Sequence, residues 1–109
     1  MVPLYQAKAE FFRTLGHPVR IRVLELLSER DHAVHELLDE IQIEPSNLSQ
    51  QLAVLRRAGL VDQQRVAGQV VYRVRVPEVR DLLMAGRVIL RSVAAQQGEL
   101  AEQLVSAGR

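Results

Sequence analysis

A mainly helical fold with one small β-hairpin is what the sequence predicts, and three observations carry it. Apolar residues recur at helical spacing over residues 4–15, 19–27, 34–41 and 48–55. A single stretch, 69–76, alternates with period two and follows the turn-like pair Ala67-Gly68. Three of the four prolines, Pro3, Pro18 and Pro45, stand where a helix is about to begin, and Pro77 stands where the strand must end.

The first helix runs from Leu4 to Leu15, with Leu4, Ala7, Phe11, Phe12 and Leu15 as its apolar stripe. Gly16-His17-Pro18 interrupts it, and Pro18 opens a second helix reaching about Ser28. Val19, Ile21, Val23, Leu24, Leu26 and Leu27 give that helix so wide an apolar face that it is expected at the centre of the core. His17, just before Pro18, suits a capping or packing role. Asp31 is a good N-cap for a third, short helix over 32–40, which would turn Val34, Leu37, Leu38 and Ile41 inward.

A link of a few residues then leads to the helix that starts at Pro45 and stops at Gly59, a residue suited to a left-handed C-terminal cap. Leu48, Leu52 and Leu55 form its inner stripe. Its other side begins with hydroxyls and amides (Ser46, Asn47, Ser49, Gln50, Gln51) and ends with Arg56 and Arg57. A solvated helix would more often carry Glu and Lys. Short donors and acceptors followed by arginine suit the major groove, where the first turn meets base edges and the guanidinium groups meet phosphate. A short helix, a turn and such a helix make a helix-turn-helix over about 32–58.

Residues 60–66 supply a partner strand for 69–76, forming a two-stranded wing over about 61–76 with Arg65, Gln69 and Arg73 near its tip. These three are expected to touch the DNA backbone. From Glu78 to about Val105 the pattern is helical again. Val79, Leu82, Leu83, Met84, Val88, Ile89, Leu90, Val93, Ala94, Leu100, Leu104 and Val105 are too many for one stripe, so part of this surface should meet another chain. Gly86 and Gly98 weaken the helix locally. About five helices are expected in all.

Length and composition agree with one domain spanning 1–109. The chain has 109 residues, 48% of them hydrophobic and 25% charged. No apolar run approaches a membrane span, no signal-peptide pattern opens the chain, and a cytoplasmic location is expected. Without cysteine, disulfides, thiolate metal sites and cysteine nucleophiles are excluded. The net charge is only +1, yet residues 44–75 hold five Lys/Arg against two Asp/Glu, while residues 1–43 hold five against seven. The basic excess therefore falls on the helix-turn-helix and wing.

Three segments in order resemble the ArsR/SmtB family of bacterial winged helix-turn-helix regulators. Leu15-Gly16-His17-Pro18-Val19-Arg20-Ile21-Arg22-Val23-Leu24 is similar to the family's opening motif. Residues 45–61 look like its recognition helix, and Gly68-Gln69-Val70-Val71-Tyr72-Arg73-Val74 looks like its wing. The resemblance implies a homodimer joined through the N- and C-terminal helices, binding to a palindromic double-stranded DNA operator, and repression relieved by an effector. Where the family often has histidine, this chain has Gln50 and Gln51. Glutamine still offers the bidentate pair that suits adenine.

Many family members sense metals, and here the usual ligands are missing. The cysteine pair of the third helix falls at Ala33-Val34-His35, and no histidine follows His35 to build the site of the last helix. What remains is Asp31, His32 and His35, with Asp39 nearby. On one helix, His32 and His35 at i, i+3 would share a face, and imidazole with carboxylate suits nickel, cobalt or zinc. The plainer reading makes them solvated residues at a helix start. A small-molecule effector, or none, is the other reading. The competing function is a winged-helix module that binds a protein rather than DNA, which the modest net charge favours. An enzyme is not expected, because the chain has neither a phosphate-binding glycine loop nor a cysteine, and no histidine with a suitable partner.

Overall fold

The computed structural model describes residues 1–98 and 104–106. Helix α1 (Leu4–Leu15) and helix α2 (Pro18–Glu29) are separated by Gly16 and His17. His17 caps α2 as expected, its Nδ1 accepting from the Val19 amide at 3.2 Å. Val23, Leu24, Leu26 and Leu27 of α2 are all buried, which places this helix at the centre of the core.

The chain next forms a two-residue strand, β1 (His32–Ala33), and only then helix α3 (Val34–Ile41). The expected start of the third helix at His32, with Asp31 as its cap, is therefore corrected. Asp31 is exposed, and the Glu36 carboxylate takes the capping role by accepting from the Ala33 amide at 2.8 Å. Ala33 has no side-chain acceptor, so only the Glu36 half of a capping box can form. Gln42, with φ 58°, ends α3 in a left-handed turn.

Helix α4 (Pro45–Arg57) follows after two further link residues. Gly59, with φ 78°, closes α4 as expected: its amide donates to the Arg56 carbonyl at 2.9 Å, and the Leu60 amide donates to the Leu55 carbonyl at 3.0 Å. This is the Schellman pattern, with apolar Leu60 and Leu55 both buried beneath it.

Strands β2 (Val61–Val66) and β3 (Gln69–Val74) pair antiparallel, from Val61 opposite Val74 to Val66 opposite Gln69. Ala67 (φ 50°) and Gly68 (φ 80°) are both left-handed, as a two-residue hairpin turn requires. The hairpin is wider than expected. β1 adds to its other edge, with His32 opposite Tyr72 and Ala33 opposite Val71, so the sheet has three strands in the order β1-β3-β2. Two extended residues are too short for periodicity to reveal.

Helix α5 (Glu78–Gln97) ends at Gly98, with φ 65°, rather than continuing to Val105. Leu104 to Ser106 are again helical, and the expected apolar residue Leu100 lies outside the described residues. The core joins α2, α3 and α4 to the sheet through Leu24, Leu37, Leu48, Leu52, Leu55, Val61 and Tyr72, with Leu15 and Val79 completing it from α1 and α5. Each leucine fully buried there contributes roughly 1.5–3 kcal/mol of transfer free energy.

Candidate nucleic-acid interface

The link Gln42-Ile43-Glu44 joins α3 to α4, and the core grips only one side of α4. Leu48, Leu52 and Leu55 are at most 2% exposed, which fixes the rotation of the helix about its own axis. With that rotation set, Ser46, Ser49 and Gln50 are exposed and Asn47 is half-buried. Glu44 provides no side-chain cap. The amides of Ser46 and Asn47 in the first turn accordingly have no intrahelical acceptor, an arrangement that favours an anionic partner. At the other end, Arg56 and Arg57 are exposed, and neither pairs with an acid among the described residues.

Gln51 departs from the expectation. It is buried, 8% exposed, and both ends of its amide are engaged. Arg20 Nε donates to Gln51 Oε1 at 2.8 Å, and Gln51 Nε2 donates to Asn47 Oδ1 at 2.9 Å. Gln51 therefore cannot read a base directly. Its spacing explains why: Leu48, Gln51, Leu52 and Leu55 stand at i, i+3, i+4 and i+7, so Gln51 belongs to the inner stripe. Arg20, part of the opening motif, is the residue that sequence reasoning leaves without a role. The signal that could have found it was the i, i+4 spacing of Asn47 and Gln51, together with an amide that needed a buried partner.

On the wing, Arg65 and Gln69 are exposed, and Arg65 Nη1 donates to the Gly68 carbonyl at 3.4 Å across the turn. Arg73 is exposed but faces Asp62 directly across the ladder, with 3.6 Å between Nη2 and Oδ2. Its charge is thus partly answered within the wing. Both charges are solvated, and such pairs contribute little to stability.

The expected metal constellation does not assemble as described. His32 lies in β1, buried, with Nδ1 donating to the Arg30 carbonyl at 2.8 Å, whereas His35 is exposed on α3. They share no helix face. His32 instead lines a shallow depression with Arg30, Glu36, Asp39 and Glu40, where the Arg30 guanidinium lies 3.1 Å from the Glu36 carboxylate. A guanidinium already supplies the positive charge to that carboxylate. Among the described residues no group of three or more His, Cys, Asp or Glu side chains is placed to hold a metal ion. Within one chain, Asp31, His32 and His35 match the plainer reading in being separate polar residues, Asp31 and His35 exposed and His32 buried.

A helix-turn-helix followed by a small antiparallel sheet defines a winged helix-turn-helix protein. Residues 17–63 match the family described as bacterial regulatory protein, arsR family. The uncharacterized HTH-type transcriptional regulator Rv0081 of Mycobacterium tuberculosis is 49% identical over 107 residues, covering 97% of this chain and 94% of its own. The crystal structure of M. tuberculosis Rv0081 superposes with a TM-score of 0.81 over 89% of this chain and 98% of that one. The biofilm growth-associated repressor of Xylella fastidiosa is 39% identical over 77 residues, 71% of this chain and 68% of that protein. The chain belongs to the ArsR family. It is a transcriptional regulator and not an enzyme.

Proposed function

We propose that this regulator acts as a homodimer that binds a palindromic double-stranded DNA operator and represses the adjoining promoter from the cytoplasm. The observation that carries the reading is the two-sidedness of α4. Its leucines are sunk in the core while Ser46, Ser49 and Gln50 stand exposed ahead of the exposed Arg56 and Arg57. In the major groove Ser46, Asn47, Ser49 and Gln50 meet base edges. Arg56, Arg57 and, from the wing, Arg65 and Gln69 meet the backbone, with Arg73 a lesser contributor.

Dimerisation is supported by large apolar side chains that stand exposed among the described residues. Leu4, Tyr5 and Phe12 of α1 are exposed, as are Met84, Val88, Ile89, Leu90 and Val93 of α5. A two-fold axis through these helices would set two copies of α4 about one helical turn apart, ~34 Å, matching two half-sites. An effector would act on such a dimer only by binding one separation of the α4 pair better than another. The Xylella relative's name supports repression as the outcome.

Fluorescence polarisation with duplex DNA from the chain's own upstream region, titrated across a salt series, tests this. Affinity should fall steeply as salt rises. Gln50→Ala should lose about 1–3 kcal/mol of discrimination against the wrong base while remaining dimeric. A salt-independent or absent signal would favour the protein-binding module, which the net charge of +1 allows.

A further inference from the structure

Arginine can only donate hydrogen bonds, and this fixes the polarity of everything beyond it. Arg20 Nη1 donates to the Thr14 carbonyl at 3.0 Å, which anchors the guanidinium at the end of α1. Its Nε then donates at 2.8 Å to the Gln51 side chain, so the Gln51 oxygen must face Arg20 and its NH2 must face outward along α4. That NH2 donates at 2.9 Å to Asn47, so the Asn47 oxygen must face Gln51. With that oxygen held toward Gln51, the group Asn47 turns the other way is its own NH2. A free asparagine can read adenine with a donor and an acceptor together, whereas this one has its acceptor turned inward.

We infer that Arg20 and Gln51 are positioning residues for operator recognition: through the Arg20–Gln51–Asn47 chain of hydrogen bonds they make Asn47 a donor-only reader. This rests on the reading of α4 as the base-reading helix. Asn47 then selects guanine O6 or thymine O4 in each half-site, the acceptors that stand where adenine and cytosine carry an NH2 group. Gln51 is only 8% exposed, so water does not compete freely for its amide. Gln50, the adjacent residue with the same side chain, is exposed and free to turn either way. The one helix therefore contains a fixed reader and an adaptable one.

Gln51→Glu reverses the polarity. The carboxylate still accepts from Arg20 but cannot donate, so Asn47 must turn its NH2 inward and show its oxygen. Selection from a random duplex DNA library, with sequencing, reads the consequence. Wild type should enrich a palindrome with guanine or thymine at one position per half-site. Gln51→Glu should move that position toward adenine or cytosine, whose N6 and N4 groups donate, by on the order of tenfold, with the other positions unchanged. Asn47→Asp, which leaves Gln51 in place, should shift the same position the same way.

Uniformly weaker binding with unchanged preferences in both variants would overturn the inference, because added negative charge alone does that. Should the variants bind too weakly to select, hydrogen exchange of the side-chain amides decides without DNA. The Gln51 NH2 protons should exchange much more slowly than those of Gln50 in wild type, and at similar rates in Arg20→Ala. Equal rates in wild type would sink the relay. No enrichment by wild type, with the amide result intact, would instead sink the proposed function.

Discussion

Helices α4 and α5 carry comparable apolar stripes with opposite fates. In α4, Leu48, Leu52 and Leu55 are 0%, 2% and 0% exposed, and the chain itself covers them. In α5, Val79 is buried at the start, but Val88 and Ile89 further along are each 61% exposed. The sequence pattern separates the two by number, since α5 carries more apolar residues than one stripe holds, but it does not say which of them the chain itself covers. The difference lies in where each helix sits. α4 is wedged between α2 and the sheet, whereas the exposed apolar residues of α5 lie on the turns between Val79 and Ala94, which are themselves buried. An inner stripe sets what α4 shows to solvent, and an uncovered stripe sets what α5 must find.

The largest expected effect breaks the α5 side of this contrast. Ile89→Glu, paired with Val88→Glu, places like charges where two copies are proposed to meet. Analytical ultracentrifugation should report a folded monomer, and operator affinity should fall about 10²–10⁴-fold as the two half-sites cease to act together. A dimer that survives both substitutions would place the interface elsewhere. Next in size is Leu55→Ala, which breaks the α4 side. A cavity at a fully buried leucine should cost about 2–5 kcal/mol in urea unfolding, whereas Met84→Ala, at an exposed position, should change the stability of the separated subunit by less than about 0.5 kcal/mol.

Much of this was legible in the sequence. Periodicity and proline placement locate α1, α2, α4 and the hairpin, and the hydroxyl-rich face of α4 points to Ser46, Ser49 and Gln50, all of which are exposed. Gln51 was misassigned because residue type was weighed above angular position: a glutamine reads as surface, yet its spacing from Leu48 and Leu55 turns it inward. β1 was missed because two residues show no period, and their extended conformation comes from pairing with Tyr72 and Val71, distant in sequence. That same pairing pulled His32 off α3 and dissolved the face it was expected to share with His35. The relay from Arg20 links residues 31 positions apart, which no local pattern reports.

A smaller effect sharpens where the covered part of α5 ends. Gly86 lies in line with Val79 and Leu83, and a methyl group added there would meet nothing within 4 Å. Within one chain, Gly86→Ala should therefore raise stability by roughly 0.5–1 kcal/mol through helix propensity alone. Thermal unfolding at two protein concentrations checks it. A gain at both concentrations keeps Gly86 on the side facing its own chain. A loss that grows with protein concentration would mean that a second copy's backbone approaches this glycine, moving the border of the interface one turn earlier.

The smallest effect concerns the entry to the helix-turn-helix, on which the seating of α4 depends. The Glu36 carboxyl is held below the ordinary carboxylate range, first by the Ala33 amide it accepts from and then by its hydrogen bond with Arg30. The unfolded chain, lacking both, takes up that proton at higher pH than the folded chain does. The carboxylate thus stabilises the fold fully above the ordinary Glu range, and this contribution is lost as pH falls from there through the lowered folded value. Glu36→Gln keeps an oxygen for the Ala33 amide but carries no charge and does not titrate. Its stability, followed by urea unfolding from neutral to acid pH, should decline less steeply than that of wild type, with the two curves converging at the acid end. Parallel curves would show that the start of α3 is held by something other than this carboxylate.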